Sequence, residues 1–177
     1  MQQNFERLVK ERQSCREYNG KPVQKETLDK VLDLALLSPS ACNSQPWKLI
    51  AVTSKEKADV VRECLQYQGH NKFLTDVNCF VAVVDCQASL KPTIESKFDR
   101  NRFVKYDVGE ITAYLTLGAK AYGLDTCKIG WMDEKTLREV LSLGENEVCT
   151  MVVAVGYSDC PTRDKIRKPK TEKVKYI

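Results

Sequence analysis

The sequence predicts an α/β sandwich, a sheet with helices packed on both faces. Two observations carry that prediction. Segments of helical period alternate with strand-like segments along the chain. Runs near residues 47–53, 78–84 and 148–155 are almost wholly apolar, the pattern of strands buried on both faces, which places them centrally in the sheet. At 177 residues the chain fits the size of one domain, 1–177, with residues 161–177 as a basic C-terminal tail.

Phe5, Leu8 and Val9 predict a short amphipathic helix over residues 2–13. Next comes Arg12-Gln-Ser-Cys-Arg-Glu-Tyr18, in which Arg12 and Arg16 share a face whether the piece is extended or helical. Their guanidiniums converge, either on an anion or on a solvated face. Asn19-Gly20-Lys21-Pro22 is a turn. Leu28, Val31, Leu32, Ala35 and Leu36 form the apolar stripe of a helix over 25–37. Residues 38–47 follow, Ser-Pro-Ser-Ala-Cys-Asn-Ser-Gln-Pro-Trp. Pro39 and Pro46 stiffen this loop, and Ser38 and Gln45, each before a proline, are expected to be extended. Two readings stand: a rigid helix-to-strand connection with a core tryptophan, or a wall of donors and acceptors against a flat polar ring.

Residues 47–53 read as a strand, and Ser54 as the N-cap of a helix that turns Ala58, Val61, Cys64 and Leu65 inward. A second strand covers 78–84. Residues 86–106 carry Pro92 with Lys91, Glu95, Lys97, Asp99, Arg100, Arg102 and Lys105, a surface excursion. The longest helix is predicted over 107–122, central in the fold, with Gly118 admitting a close neighbour and Gly123 as its left-handed C-cap. A short strand over 124–130 runs into Gly130. Asp133 caps a small helix that Gly144 ends, a strand over 148–155 follows, and Pro161 and Pro169 prevent a long helix in the tail.

A composition of 42% hydrophobic and 29% charged residues is that of a soluble globular protein. No apolar run reaches the roughly 18 residues a membrane span needs. The first residues lack the apolar core of a signal peptide, so the expected location is cytoplasmic. The eight cysteines form no CxxC pair and read as reduced, mostly buried thiols, without the spacing of a zinc or iron–sulfur site. His70 is the single histidine, in a turn-like segment that predicts an exposed loop.

Seven basic residues against two acidic ones give the tail a charge of +5, while residues 1–160 are close to neutral. The tail is therefore where an anion would be met. No GxGxxG follows a strand, and no GxxxxGK[ST] or HExxH occurs. What remains is Arg12/Ser14/Arg16, the Asn43/Gln45 loop, Lys165-Ile-Arg167 and the strand end at Ile129-Gly130. Two basic clusters and an amide-rich loop suit a ligand with a phosphate at one end and an amide-like ring at the other.

These motifs resemble the FMN-dependent nitroreductase family. Arg12-Gln-Ser-Cys-Arg-Glu-Tyr18 is similar to its opening Arg-x-Ser-x-Arg/Lys-x-aromatic motif, and residues 38–47 to its small-Pro-Ser-x-x-Asn-x-Gln-Pro-Trp segment. Asp107-Val-Gly109, Gly123-Leu-Asp-Thr-Cys-Lys-Ile-Gly130, Gly156-Tyr157 and Lys165-Ile-Arg167-Lys168-Pro169 resemble its later signatures, in order. The resemblance implies an α+β sandwich: a mixed, mainly antiparallel central sheet flanked by helices, with a C-terminal extension embracing the partner subunit. It implies a homodimer with FMN at the interface and NADH or NADPH as co-substrate. Arg12, Ser14, Lys165 and Arg167 would hold the phosphate, and Gln13 beside them would also be cofactor-binding. Arg16 would stand near the pyrimidine edge and stabilise the anionic reduced flavin. Pro39, Ser40, Ala41, Asn43 and Gln45 would reach the flavin from the other subunit. Ile129 and Gly130 would end the strand at flavin N5, with the Gly130 backbone N–H as donor. The implied reaction is ping-pong hydride transfer through flavin N5 to a nitroaromatic, a quinone or another small oxidant. It needs no catalytic side chain and no metal.

The chain is short for this family, and residues 86–106 stand where longer members carry extra helices, so substrate choice does not carry over. Cys42 and Cys127 flank the implied site, as packing residues or, if exposed, as redox-sensitive thiols. Two other classes share some of these residues. A flavin storage or sensing protein would use the same binding groups, and a nucleic-acid binder would use the basic tail but lacks a recognised module.

Overall fold

The two most continuous apolar runs become the two inner strands of a four-stranded sheet. The structure is a computed structural model that describes residues 2–99 and 102–177; Arg100, counted above in the charged excursion, lies outside them. In chain order the elements are α1 (Gln2–Glu11), α2 (Lys25–Leu36), β1 (Trp47–Val52), α3 (Lys55–Leu65), β2 (Cys79–Asp85), α4 (Pro92–Glu95), α5 (Val104–Ala121), β3 (Asp125–Ile129), α6 (Glu134–Val140), β4 (Val148–Gly156) and α7 (Lys170–Lys173). The strand order is β1-β2-β4-β3, and all three pairings are antiparallel. Among the described residues the parallel component of this mixed arrangement is one isolated bridge, Ser14 with Thr126. That bridge carries the segment after α1 along the edge strand β3.

Strand alternation divides the core in two. Phe80, Ala82, Val84, Val152 and Ala154 pack with Ala58, Val61 and Leu65 of α3 and Leu137 of α6. Cys79, Val81, Val83, Val153 and Val155 pack on the other face with Leu28, Val31 and Ala35 of α2 and Val108, Ile111, Leu115 and Ala119 of α5. Helices therefore cover both faces, as predicted, and burial on both sides accounts for the unbroken apolar runs of β2 and β4. Gly118 is buried against Leu34 of α2, but a Cβ there would meet Leu34 at 3.5 Å, an ordinary contact, so the packing does not require glycine; Gly123 turns the chain at φ 76°. Trp47 is buried in the α2/α5 core and anchors the loop before it.

Three local expectations are corrected. Ser54 stands at the N-cap of α3, but its side chain makes no capping hydrogen bond. Asp133 does cap α6, accepting from the Thr136 N–H at 3.2 Å. α6 ends at Val140 and the left-handed residue after it is Ser142, φ 52°, and not Gly144, which begins the next turn through its carbonyl to the Glu147 N–H at 3.0 Å. α5 starts at Val104, inside the presumed excursion, because Val104 is buried against the α2/α5 core. The tail holds one short helix, α7, directly after Pro169.

Candidate functional site

Residues 12–19 and 157–167, far apart in sequence, lie side by side. The Cys15 N–H donates to the Thr126 carbonyl at 2.9 Å and the Asn19 N–H to that of Tyr157 at 3.0 Å, so the first segment follows the ends of β3 and β4. The tail is then tied back onto it. Arg163 donates from its backbone N–H and its Nε to Gln13 Oε1, each at 3.1 Å, and from Nη2 to the Ser14 carbonyl at 2.6 Å. Gln13 Nε2 donates to the Pro161 carbonyl at 3.2 Å, and Lys165 Nζ to the Arg12 carbonyl at 2.6 Å.

The result is a cavity of about 390 Å³ walled by Arg12, Gln13, Ser14, Arg163, Asp164, Lys165, Ile166 and Arg167. Five of the sequence-predicted residues, Arg12, Gln13, Ser14, Lys165 and Arg167, meet here. Among the described residues no salt bridge pairs Arg12, Arg163, Lys165 or Arg167 with a carboxylate. Burial pushes the Lys165 ammonium below its ordinary pKa, and the nearby Arg12, Arg167, Arg163 and Lys120 push it further down. Four cations against the one carboxylate of Asp164, with no salt bridge among them, leave an excess of positive charge that attracts an anion of low pKa, and arginine forks suit a phosphate.

Arg16 does not join Arg12 in this cavity. It lines an adjoining one of about 200 Å³ with Cys15, Glu17 and Cys160, and the two cavities share Gln13 and Arg163. Its guanidinium lies 5.9 Å from the centre of the Phe73 ring. Ile129 is buried at the end of β3, and Gly130 follows exposed, with open space where a side chain would stand.

The loop 38–45 lies elsewhere: none of Pro39, Ser40, Ala41, Asn43 or Gln45 lines the cationic cavity. Pro39, Asn43 and Gln45 are exposed, while Ser40 and Ala41 are half-buried. Residues 41–43 form one 3-10 turn, and Cys42, Asn43 and Gln45 have φ of 56°, 52° and 47°. Gln45 is thus left-handed and not extended, against the preference of a residue before proline. Hydrogen bonds override that preference. Ser40 Oγ accepts from the Gln45 N–H at 2.9 Å, and the Gln45 carbonyl accepts from the Trp47 N–H at 2.8 Å. Ser44 Oγ accepts from the Ser89 N–H at 2.7 Å, and Asp107 Oδ1 accepts from the Ala41 N–H at 3.2 Å. Non-glycine residues held this way cost on the order of 1–3 kcal/mol each and cluster at functional sites.

The family model described as the nitroreductase family matches residues 9–74 and 58–157. The chain belongs to the nitroreductase family. A relative in Archaeoglobus fulgidus named for NADH dehydrogenase/NAD(P)H nitroreductase is 30% identical over 155 residues, covering 85% of this chain and 83% of its own. A nitroreductase family protein of Clostridium difficile 630 superposes with a TM-score of 0.80 at 27% identity, over 96% of this chain and 95% of its own. An FMN-dependent nitroreductase of Clostridium difficile R20291 does so with a TM-score of 0.76 at 27% identity, over 96% of each chain. The nitroreductase family model stops short of the cationic tail, which leaves Lys165 and Arg167 to be judged on geometry.

Sequence reasoning missed Arg163 and Asp107. Arg163 was one of seven cations in a basic run and only its bonds to Gln13 and Ser14 single it out. Asp107 opens the Asp107-Val-Gly109 motif, and nothing in the local sequence points to its contact with Ala41. Of the flanking thiols, Cys127 is buried and pushed up in pKa by that burial, while Cys42 is exposed. His70 is exposed, its ring tilted against Trp131 at 4.8 Å.

Proposed function

We propose that the chain is an FMN-dependent NAD(P)H oxidoreductase that reduces a nitroaromatic, a quinone or another small oxidant, working as a cytoplasmic homodimer of one-domain subunits. The observation that carries the reading is the cationic cavity built from both ends of the chain, without a paired carboxylate among the described residues. That donor set fits the phosphate of FMN. The volume lies within the usual range for small-molecule sites, and Arg12, Arg163, Lys165 and Arg167 supply charge where Ser14 supplies a hydroxyl.

When bound, FMN supplies the hydride chemistry, accepting from a nicotinamide and returning electrons to the oxidant. The chain's own residues bind and orient. Arg12, Ser14, Lys165 and Arg167 hold the phosphate. Gln13 and Arg163 act one step back, fastening the tail so that the cations stay together. Arg16, in the adjoining cavity, presents a guanidinium to the edge on which negative charge gathers. Ile129 closes β3, and the Gly130 N–H offers a donor beside open space.

The loop 38–45 completes the site from the second subunit, with Pro39, Ser40, Ala41, Asn43 and Gln45 against the ring. Two features support a second copy. Phe5, Leu8, Leu34, Leu37, Ala113 and Tyr114 line much of an almost wholly apolar trough of about 450 Å³ on α1, α2 and α5. The tail leaves Ile166, Tyr176 and Ile177 largely exposed, so it has apolar groups to embrace a partner with. No helix of the described residues is long and apolar enough to cross a membrane.

Titrating purified chain with FMN, with sedimentation in parallel, tests the reading. A dimer that binds FMN and then oxidises NADH or NADPH in the presence of a quinone is expected. A chain that binds FMN but turns over neither donor would be a storage or sensing protein instead.

A further inference from the structure

We propose that Asp107 is the positioning residue of the loop 38–45, holding the left-handed turn that presents Asn43 and Gln45 by accepting the Ala41 N–H. The inference rests on the reading of that loop as the wall facing the flavin.

Asp107 lies in the first turn of α5 and is only 5% exposed. Oδ1 accepts the Ala41 N–H at 3.2 Å, 66 residues away in sequence. Oδ2 is buried and has no hydrogen-bond partner among the described residues. Burial raises the carboxyl pKa, and the Ala41 N–H only partly opposes that rise. A buried carboxylate with one neutral donor is a poor stabilising device, because the desolvation of the charge is not returned. An apolar residue at this place in α5 would pack at lower cost. What the carboxylate does provide is a fixed acceptor beneath a strained turn. The turn needs one, since Cys42, Asn43 and Gln45 all stand at positive φ. Ser40 Oγ and Ser44 Oγ brace it within the loop and toward Ser89, and Asp107 braces it to the core helix. Function is thereby traded against stability.

The test compares the full-length wild-type chain with Asp107→Leu and Asp107→Asn, measuring FMN affinity by fluorescence quenching and the melting temperature without FMN. Asp107→Leu is expected to melt at or above the wild-type temperature while binding FMN about tenfold more weakly or worse. Asp107→Asn keeps an oxygen for the Ala41 N–H and is expected to bind within about threefold of wild type, a rescue that a merely space-filling role would not produce. Wild-type affinity in Asp107→Leu overturns the proposal, as does an equal loss in both variants. Should Asp107→Leu fail to fold, Ala41→Pro removes the same hydrogen bond from the other side. It is expected to weaken FMN about as much, and wild-type affinity there overturns the proposal. A wild-type chain that does not bind FMN removes the reading beneath the inference, and the inference with it.

Discussion

Replacing Lys165 with methionine separates binding from folding at the cationic cavity. The ammonium sits 2.6 Å from the Arg12 carbonyl, and its pKa is held down by burial and then by Arg12, Arg167, Arg163 and Lys120. Methionine keeps the stem and removes the charge. Without ligand, the lost bond to Arg12 costs about 0.5–1.5 kcal/mol, and relief of crowding among the cations offsets part of that. With FMN, the variant forfeits a charge-assisted bond to phosphate of roughly 1.5–3 kcal/mol, or about 10- to 150-fold in Kd. The thermal consequence follows by linkage. At free FMN of about 100 times the wild-type Kd the ligand stabilises the fold by about 2.7 kcal/mol, and a tenfold weaker site retains only about 1.4 kcal/mol. Differential scanning fluorimetry with and without FMN should therefore show the ligand-induced rise in Tm cut to about half or less, with little change in the apo Tm. Lys168→Met, outside the cavity lining, is the control. Equal FMN affinity in Lys165→Met and wild type would refute the assignment of the tail to the phosphate.

Two glycines should behave oppositely. A Cβ at Gly156 would meet Tyr18 Cδ1 at 2.8 Å, and that ring is buried, so Gly156→Ala should cost roughly 1–3 kcal/mol by overpacking, seen as a lower urea midpoint. A Cβ at Gly130 meets nothing within 4 Å, so Gly130→Ala should leave the apo midpoint unchanged while slowing flavin reduction in stopped-flow. Alkali should destabilise the fold. Burial pushes the Cys79 thiol from 9.0 up to about 12 and the Cys149 thiol to about 11, and it raises the Tyr18 phenol as well. Groups raised in the folded state contribute fully below their unfolded pKa and lose that contribution as pH rises toward the folded value. The urea midpoint should therefore fall between about pH 9 and about pH 12, and a flat profile there would contradict the burial of these groups.

The sheet was legible where burial acts on both faces at once. Phe80, Val81, Val83, Val152 and Val155 read as inner strands because each side of the pleat needs an apolar residue. The same doubling hides strand direction, since a strand covered on both faces looks alike in parallel and antiparallel pairing, and only the pairings themselves show that every ladder here is antiparallel. The start of α5 was obscured by Lys105 and Tyr106, exposed residues beside the buried Val104. Left-handed Gln45 and Ser142 could not be read locally. Their neighbours favour other conformations, and hydrogen bonds made in the folded chain decide: Ser40 Oγ to Gln45 in one case, and the Arg138 carbonyl to Leu143 in the other. In the site, residue types were legible and roles were not. Arg12 and Lys165 announce themselves by charge, whereas Gln13 and Arg163 become fasteners only when two segments about 150 residues apart meet.

The most direct test of the central claim is the visible spectrum of the purified chain after incubation with FMN and removal of excess, followed by anaerobic addition of NADH or NADPH. The account predicts a retained flavin band that bleaches with at least one nicotinamide and returns on adding a quinone or nitroaromatic. A chain that emerges colourless from excess FMN would contradict it.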